Sequence, residues 1–147
     1  CFVGGTPKEI SASRDTAREA GVEGRCVFVP FVDEHTILKY LLAADALIYL
    51  PPREKFFLYE TSPMKLFEYM AAQKPIILAD YPSLREALDT DEAFFVDPRD
   101  RVAVGEAIRR AVSGEDAARR AAAAYERART NTWDARAQKI LEIAQAL

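Results

Sequence analysis

The sequence predicts an α/β fold built on a parallel sheet. Three observations support this prediction. Short apolar runs alternate with helical stretches through the first two thirds of the chain, a pair of glycines follows the first apolar run, and the pattern becomes wholly helical from Asp100 onward. Such alternation is the signal for βαβ units, in which a helix carries the chain back to begin the next parallel strand. We therefore expect a parallel sheet with helices on both faces and a helical C-terminal tail.

Each predicted strand is an apolar run, and each predicted helix has helical spacing or strong helix formers. The first strand ends at Gly4 and Gly5, which permit a tight turn at the carboxyl edge of the sheet, and Gly21 closes the first helix. In order, the strands are expected at residues 1–3, 26–29, 45–50, 75–79 and 93–96. The helices are expected at residues 7–20, 34–44, 63–72, 82–88, 100–113 and 115–130, with a last one from 133.

A long loop is predicted at residues 51–61, because this stretch is neither periodic nor flexible in composition. Loops at the carboxyl ends of strands hold the ligands of open α/β sheets, and long loops tend to be functional. The charges of Arg53, Glu54 and Lys55 are either solvated or grip a second substrate.

The helical tail has two local predictions. Thr132 is expected to cap the last helix, and Trp133 is expected to anchor it. Arg119 and Arg120 are expected on a solvated helix face.

Composition limits the class of protein. With 147 residues, half of them hydrophobic, the chain can bury one core, so residues 1–147 are expected to form a single domain. A net charge of −3 gives no reason to expect nucleic-acid binding, and no apolar run approaches the ~20 residues needed to cross a bilayer. We expect a cytoplasmic protein with Cys1 and Cys26 reduced. Because the chain opens inside a strand without an initiator methionine, we expect it to be a fragment of a longer protein.

The chain is organised around the helix predicted at residues 63–72. Ser62 is predicted to cap this helix, because a serine hydroxyl can accept from a free backbone N–H, and Pro63 suits the first helical position. Its apolar residues are spread around the axis, so we expect the helix to be packed on most sides. They are Met64, Leu66, Phe67, Tyr69, Met70 and Ala71.

Lys65 and Glu68 share one stripe of that helix, and Glu60 precedes the cap. The stripe is either a salt bridge on a thin solvated face or part of a phosphate site. The phosphate site is favoured because a first-turn lysine lies at the positive end of the helix dipole, where it needs an anion nearby. Glu68 lies about 9 Å along the axis from Ser62, a suitable distance from a diphosphate to the sugar hydroxyls of a nucleotide.

Glu60, seven residues and Glu68, followed by Lys74-Pro75-Ile76-Ile77, resemble the E-x7-E segment of retaining glycosyltransferases of the GT-B, family-4 or "glycosyl transferases group 1" type. The likeness extends to Phe2-Val3-Gly4-Gly5, to residues 21–28, to residues 43–46 and to Trp133 with the last helix. The resemblance implies that the chain is the Rossmann-like, donor-binding carboxyl-terminal half of a longer two-domain enzyme.

The resemblance also implies roles for individual residues. Glu68 would bind the ribose hydroxyls of the donor, and Glu60 would lie at the catalytic centre beside the transferred sugar, where it orients the sugar. The main chain of Val32 would contact the base.

At the phosphate end, the resemblance implies that the backbone N–H groups of Met64 and Lys65 hold the distal phosphate. Ser62, which is predicted to cap the helix and to be among the donor-binding residues, stands where the family commonly has a glycine turn. Gln73 stands where a glycine usually ends the helix.

The reaction implied is sugar transfer from a nucleoside diphosphate sugar of the UDP or GDP type, with retention of configuration and with neither a metal nor another cofactor. The acceptor, a saccharide, a lipid or another molecule, would bind through the absent amino-terminal half, so this chain alone would be inactive. The parent enzyme would serve polysaccharide or glycoconjugate synthesis and could touch a membrane surface.

Two other functions stay open from the residues. One is a Rossmann-like binding or scaffold module without transfer activity, and the other is a nucleotide-sugar epimerase of the same fold. His35 is the only histidine, and its place at a helix start beside Asp33 and Glu34 indicates a surface or capping role rather than a catalytic triad.

Overall fold

A computed structural model describes residues 1–146, which form two compact units. The first unit comprises residues 1–43, and the second begins at Ala44. Each unit has its own parallel strands and its own helices.

In the N-terminal unit the predicted order of strands and helices is confirmed. Gly4 and Gly5 turn the chain after the first strand with φ of +97° and +120°, a region that favours glycine. The first helix starts with a capping box, in which the Thr6 hydroxyl accepts from the Glu9 N–H at 3.4 Å and the Glu9 carboxylate accepts from the Thr6 N–H at 2.7 Å. The elements are β1 (Phe2–Val3), α1 (Pro7–Glu19), a 3-10 turn (Glu23–Arg25), β2 (Phe28–Val29) and α2 (Glu34–Ala43).

Strand β2 is shorter than the sequence predicts. The Cys26 N–H donates to the Glu23 carbonyl at 2.9 Å, so the 3-10 turn takes a residue predicted to belong to the strand. The strands are parallel, with Phe2 beside Phe28, and the Phe2 N–H donates to the Val27 carbonyl at 2.8 Å.

In the unit from Ala44 onward, a three-stranded parallel sheet has the order β3-β4-β5. The prediction of an unbroken loop at residues 51–61 is wrong, because residues 56–60 form a π-helix. The elements are β3 (Leu47–Tyr49), the π-helix (Phe56–Glu60), α3 (Met64–Ala71), β4 (Ile76–Ala79), α4 (Pro82–Arg85), β5 (Phe94–Val96), α5 (Arg101–Ser113), α6 (Glu115–Thr130) and α7 (Trp133–Gln145).

Strand β4 lies at the centre of the core. Ile76 and Leu78 join the cluster that contains buried residues of α3, α4 and α6, whereas Ile77 joins the cluster that contains buried residues of α5. Since successive side chains of a strand point to opposite faces, helices cover both faces of this sheet, as predicted. Burying each such side chain contributes about 1.5–3 kcal/mol.

Helix α6 is tied to the sheet by arginines. The Arg120 guanidinium donates to the Ala93 carbonyl at 2.9 Å and lies 4.7 Å from the centre of the Phe94 ring. The predicted solvated face is therefore wrong for Arg120, whose planar group contacts the carbonyl directly before β5 and the first aromatic ring of that strand. Arg127 likewise pairs with the buried Glu92 at 2.6 Å.

Helix α7 lies on the surface. The Thr132 hydroxyl accepts from the Ala135 N–H at 3.1 Å, which confirms the predicted cap. Trp133 is 69% exposed, so the prediction that it anchors the helix is wrong; α7 is exposed along its whole length. Within residues 1–146, no helix combines the length and the apolar character needed to cross a membrane.

Candidate functional site

The candidate site lies at the carboxyl edge of the β3-β4-β5 sheet. Because the three strands are parallel, the chain leaves Tyr49, Ala79 and Val96 at the same edge. Residues 50–63, which we call the β3–α3 segment, begin at this edge and lead into α3. Ligands of open α/β sheets bind outside the carboxyl ends of the strands.

Helix α3 begins without a side-chain cap. Pro63 occupies the N-cap position with φ −75° and ψ 106°, so the prediction that Ser62 caps the helix is wrong. A proline disfavours helical backbone for the residue before it, which places Ser62 one residue too early to cap the first turn. Within residues 1–146, the N–H groups of Met64 and Lys65 donate to no acceptor, whereas Leu66 N–H donates to the Pro63 carbonyl at 3.0 Å. The amino end of α3 therefore offers two donors and the positive end of a helix dipole.

Lys65 does not pair with Glu68. The Lys65 ammonium lies 5.0 Å from the centre of the Tyr49 ring, a cation–π contact that draws it toward β3. Among the described residues no ion pair joins Lys65 to Glu68, so the structure contradicts the salt-bridge interpretation of this stripe.

Glu68 faces away from the core. Leu66 and Met70 are each 1% exposed, and at 3.6 residues per turn Glu68 lies on the opposite side of the helix. The prediction that α3 is packed on most sides is wrong, because only one face packs against α6 and the sheet, and Met64 is 54% exposed. An accessible Glu68 carboxylate can accept hydrogen bonds from hydroxyl groups.

Tyr69 connects this helix to β3. Its hydroxyl donates to the Ile48 carbonyl at 3.5 Å. Burial raises the pKa of the Tyr69 phenol, and the negative charge of Glu68 raises it further. The phenol is therefore a neutral donor at physiological pH that holds α3 against the strand.

Glu60 ends the π-helix in the β3–α3 segment. Its carboxylate lies 3.2 Å from the Lys55 ammonium, and both side chains are exposed. Exposed pairs of this kind contribute roughly 0–1 kcal/mol. The pair therefore holds Glu60 only weakly, and the carboxylate is accessible from solvent.

Val32 lies in the N-terminal unit, half-buried between β2 and α2. Asp33 beside it caps α2, since its carboxylate accepts from the Thr36 N–H at 2.9 Å. His35 is exposed in the first turn of α2. The other predicted site residues, Glu60, Ser62, Met64, Lys65 and Glu68, lie within nine consecutive positions of the second unit.

Sequence reasoning missed two ion pairs at the same sheet edge. Asp80 follows β4 and pairs with Arg85 at 2.5 Å, and Asp97 follows β5 and pairs with Arg99 at 2.7 Å. Each arginine holds the pKa of its aspartate below the usual range through hydrogen bonding. An acidic residue directly after a strand was the available signal, but the partners depend on tertiary geometry.

Two cavities flank the entry to α3. One, of about 480 Å³, is lined by Met64, Phe67, Arg136 and other residues of 130–139. The other, of about 250 Å³, is lined by residues 61–63, Ser83, Arg127 and their neighbours. In the described part of the chain, no group of three or more His, Cys, Asp or Glu side chains could hold a metal ion.

Parallel strands with helices on both faces, and a loop that leads from the carboxyl edge of the sheet into α3, define a Rossmann-like α/β protein. The chain belongs to the family described as Glycosyl transferases group 1, whose model matches residues 1–129. No curated protein sequence matches the chain.

Solved structures show the same fold. The chain is similar to sucrose-phosphate synthase from Thermosynechococcus elongatus, with a TM-score of 0.77 and 22% identity over 98% of this chain and 37% of that one. It is also similar to HepE from Anabaena, solved in complex with UDP-glucose, with a TM-score of 0.76 and 20% identity over 99% of this chain and 40% of that one. Both are GT-B proteins, so the Rossmann-like fold expected from the resemblance is confirmed. The chain spans about two fifths of their length.

Proposed function

We propose that residues 1–147 are the donor-binding domain of a longer, two-domain glycosyltransferase that transfers a hexose from a nucleoside diphosphate sugar with retention of configuration. The observation that carries this proposal is the uncapped start of α3, which has free N–H groups at Met64 and Lys65. Glu60 precedes it by four residues, and Glu68 follows it by four. Family membership supports the transferase class.

The amino end of α3 would stabilise the departing diphosphate. Its N–H groups are held by the helix before the ligand arrives, so they need no reorganisation as negative charge develops on the leaving group. The Lys65 side chain rests on Tyr49 and adds positive charge nearby. In this role the protein needs neither a metal nor another cofactor to bind the phosphates.

The two glutamates would contact the two sugars of the donor, one glutamate for each. Glu68, exposed on the second turn of α3, accepts hydrogen bonds from the ribose hydroxyls, while Glu60 orients the transferred sugar. Val32 would contribute a main-chain contact to the base. HepE, one of the similar structures, was solved with UDP-glucose, which is consistent with a donor of the UDP type.

The remainder of the enzyme would complete the site. Because the chain spans about two fifths of the similar structures, the acceptor would bind residues outside it, and the chain alone would bind donor weakly and transfer nothing. In this proposal the parent enzyme is cytoplasmic, serves polysaccharide or glycoconjugate synthesis and can touch a membrane surface.

Nucleotide titration followed by NMR tests donor binding. We expect UDP or GDP to shift the amide signals of residues 60–68, because the diphosphate meets the N–H groups of Met64 and Lys65. Glu68→Ala should weaken binding about five- to tenfold, since it removes a charged acceptor from the ribose hydroxyls. Glu106→Ala, an exposed glutamate of α5, is the matched control and should bind as the wild type does.

The titration also decides between the functions left open by the sequence. If UDP, GDP and ADP all leave residues 60–68 unshifted, the donor site is absent and the chain is a binding or scaffold module. An epimerase would bind nucleotide too, so the full-length protein must then be incubated with the nucleotide sugar and an acceptor. Release of the nucleoside diphosphate supports transfer, whereas isomerised sugar without net release supports epimerisation.

A further inference from the structure

Two buried hydroxyl groups hold the backbone that carries Glu60. The Tyr81 hydroxyl donates to the Pro51 carbonyl at 3.1 Å, and the Ser83 hydroxyl donates to the Phe57 carbonyl at 2.6 Å. Tyr81 is 1% exposed and Ser83 is 7% exposed. The partners are 30 and 26 residues apart in the sequence, so both bonds are tertiary contacts rather than local turn geometry.

Apolar packing alone would leave this segment free to shift. Phe57 and Leu58 pack against the core cluster that contains Tyr81 and Leu84. Such contacts are non-directional, so they attach the π-helix to the core without fixing its rotation or its position along its own axis. Hydrogen bonds weaken steeply away from their preferred distance and angle. The hydroxyls of Tyr81 and Ser83 therefore fix the register of the β3–α3 segment at two points.

The position of Glu60 follows from that register. Its only ion-pair partner among the described residues is the exposed Lys55, which cannot hold the carboxylate firmly. Glu60 lies three residues after Phe57, at the end of the same π-helix. A shift of the Phe57 carbonyl would therefore move the carboxylate of Glu60.

Glu68 is supported differently. It stands on α3, which is fixed by its own buried residues Leu66 and Met70. The Ser83 bond reaches the π-helix and not α3. Loss of that bond should therefore affect the environment of Glu60 while leaving the position of Glu68 unchanged.

We propose that Tyr81 and Ser83 are positioning residues for the transferred sugar, which act through the β3–α3 segment that carries Glu60. The proposal rests on the donor-binding function proposed above. In this proposal Tyr81 and Ser83, which follow β4, determine the position of the transferred sugar, while the start of α3 and Glu68 bind the nucleotide.

Calorimetric titration of the full-length protein with UDP and with UDP-glucose tests this division; GDP and GDP-mannose replace them if the nucleotide titration selects guanine. In Ser83→Ala we expect the ratio of the Kd for UDP-glucose to the Kd for UDP to rise about three- to tenfold. The Kd for UDP itself should change less than about twofold. Tyr81→Phe, which keeps the ring, should act in the same direction. Ser83→Thr restores a hydroxyl and should restore the ratio.

Ser113→Ala is the matched control. Its hydroxyl donates to the Arg109 carbonyl at 2.7 Å at the end of α5, on the opposite edge of the sheet, so its removal should leave both Kd values unchanged. If Ser83→Ala does not fold, Tyr81→Phe supplies the same comparison.

The outcomes separate the two proposals. A wild-type protein that binds neither UDP nor GDP overturns the proposed function and this inference with it. If the wild-type protein binds the nucleotide sugar, this inference alone is overturned when the variants raise the Kd values for UDP and UDP-glucose equally or change neither value. Only a selective effect on the sugar-bearing ligand, reversed by Ser83→Thr, supports the positioning role.

Discussion

The two units of the chain differ in how much they bury. Within residues 1–43, the buried hydrophobic residues are Ala17 and Leu41. In the unit from Ala44 onward, β4 alone contributes four residues with 0% exposure, and α3, α4, α5 and α6 pack on its two sides. The comparison indicates that the second unit supplies most of the apolar burial that stabilises the chain.

The amino-acid sequences of the strands explain why the second unit buries more apolar surface than the first. Strand β4 is Ile76-Ile77-Leu78-Ala79, apolar at every position, as expected for a strand covered on both faces. Strands β1 and β2 have two residues each, and Phe2 and Phe31 remain exposed in their unit. The proposed phosphate site lies at the start of α3, in the more firmly packed unit, where its N–H groups are held in place.

Hydrogen exchange should show the largest contrast between the units. Amides of Ile77 and Leu78 open only when the core of the second unit unfolds, whereas the Gly4 N–H, bonded to the Val29 carbonyl at 3.0 Å, lies in a two-stranded ladder with little buried around it. We expect protection factors at least about a hundredfold lower in β1 and β2 than in β4. Equal protection measured by NMR would show that the two units unfold together and would contradict the comparison.

A leucine truncation in each unit sharpens the contrast. Leu78→Ala should lower the free energy of unfolding by about 3–5 kcal/mol, because Leu78 is completely buried and its removal leaves a cavity. Leu38→Ala, at a half-exposed position of α2, should cost less than about 1 kcal/mol. Urea denaturation monitored by circular dichroism measures both values.

The matching conservative variant is Leu78→Met, which keeps the volume. It should cost less than about 1.5 kcal/mol, since volume-conserving substitutions are tolerated in cores. A loss of unfolding free energy as large as that of Leu78→Ala would show that the shape of the side chain, rather than its volume, determines stability at position 78.

Much of the fold could be predicted from the sequence because its strands and helices are locally encoded. Alternating apolar runs and turn residues place all five strands, and Thr132 is recognisable as a cap from its hydroxyl and position. The π-helix has no local sequence signal, and its contacts are distant in sequence: the Ser83 hydroxyl, for example, lies 26 residues from the Phe57 carbonyl that accepts from it. Arg120 was misjudged for the same reason: its carbonyl partner lies 27 residues away in the sequence.

In the candidate site, too, the features encoded by neighbouring residues could be predicted, and the contacts between distant residues could not. The sequence places Glu60, Glu68 and the start of α3 together, because they lie within a few helical turns. The contact of Lys65 with Tyr49 joins a helix to a strand across the β3–α3 segment, so no local pattern reveals it. Gln73 adopts φ +55°, which shows that a glycine-type helix end is kept even with a side chain present.

The smallest effect concerns the two helix starts, one in each unit. Thr6→Ala removes the hydroxyl that accepts from Glu9 N–H in the capping box of α1, and should cost about 1 kcal/mol. Ser62→Ala should change stability by less than about 0.5 kcal/mol, because Ser62 accepts no hydrogen bond from the first turn of α3. Urea denaturation with exchange of the α1 and α3 amides measures each loss in its own unit. If Ser62→Ala costs as much as Thr6→Ala, then serine caps α3 in solution, its first N–H groups are already occupied, and a phosphate would have to displace the hydroxyl to bind there.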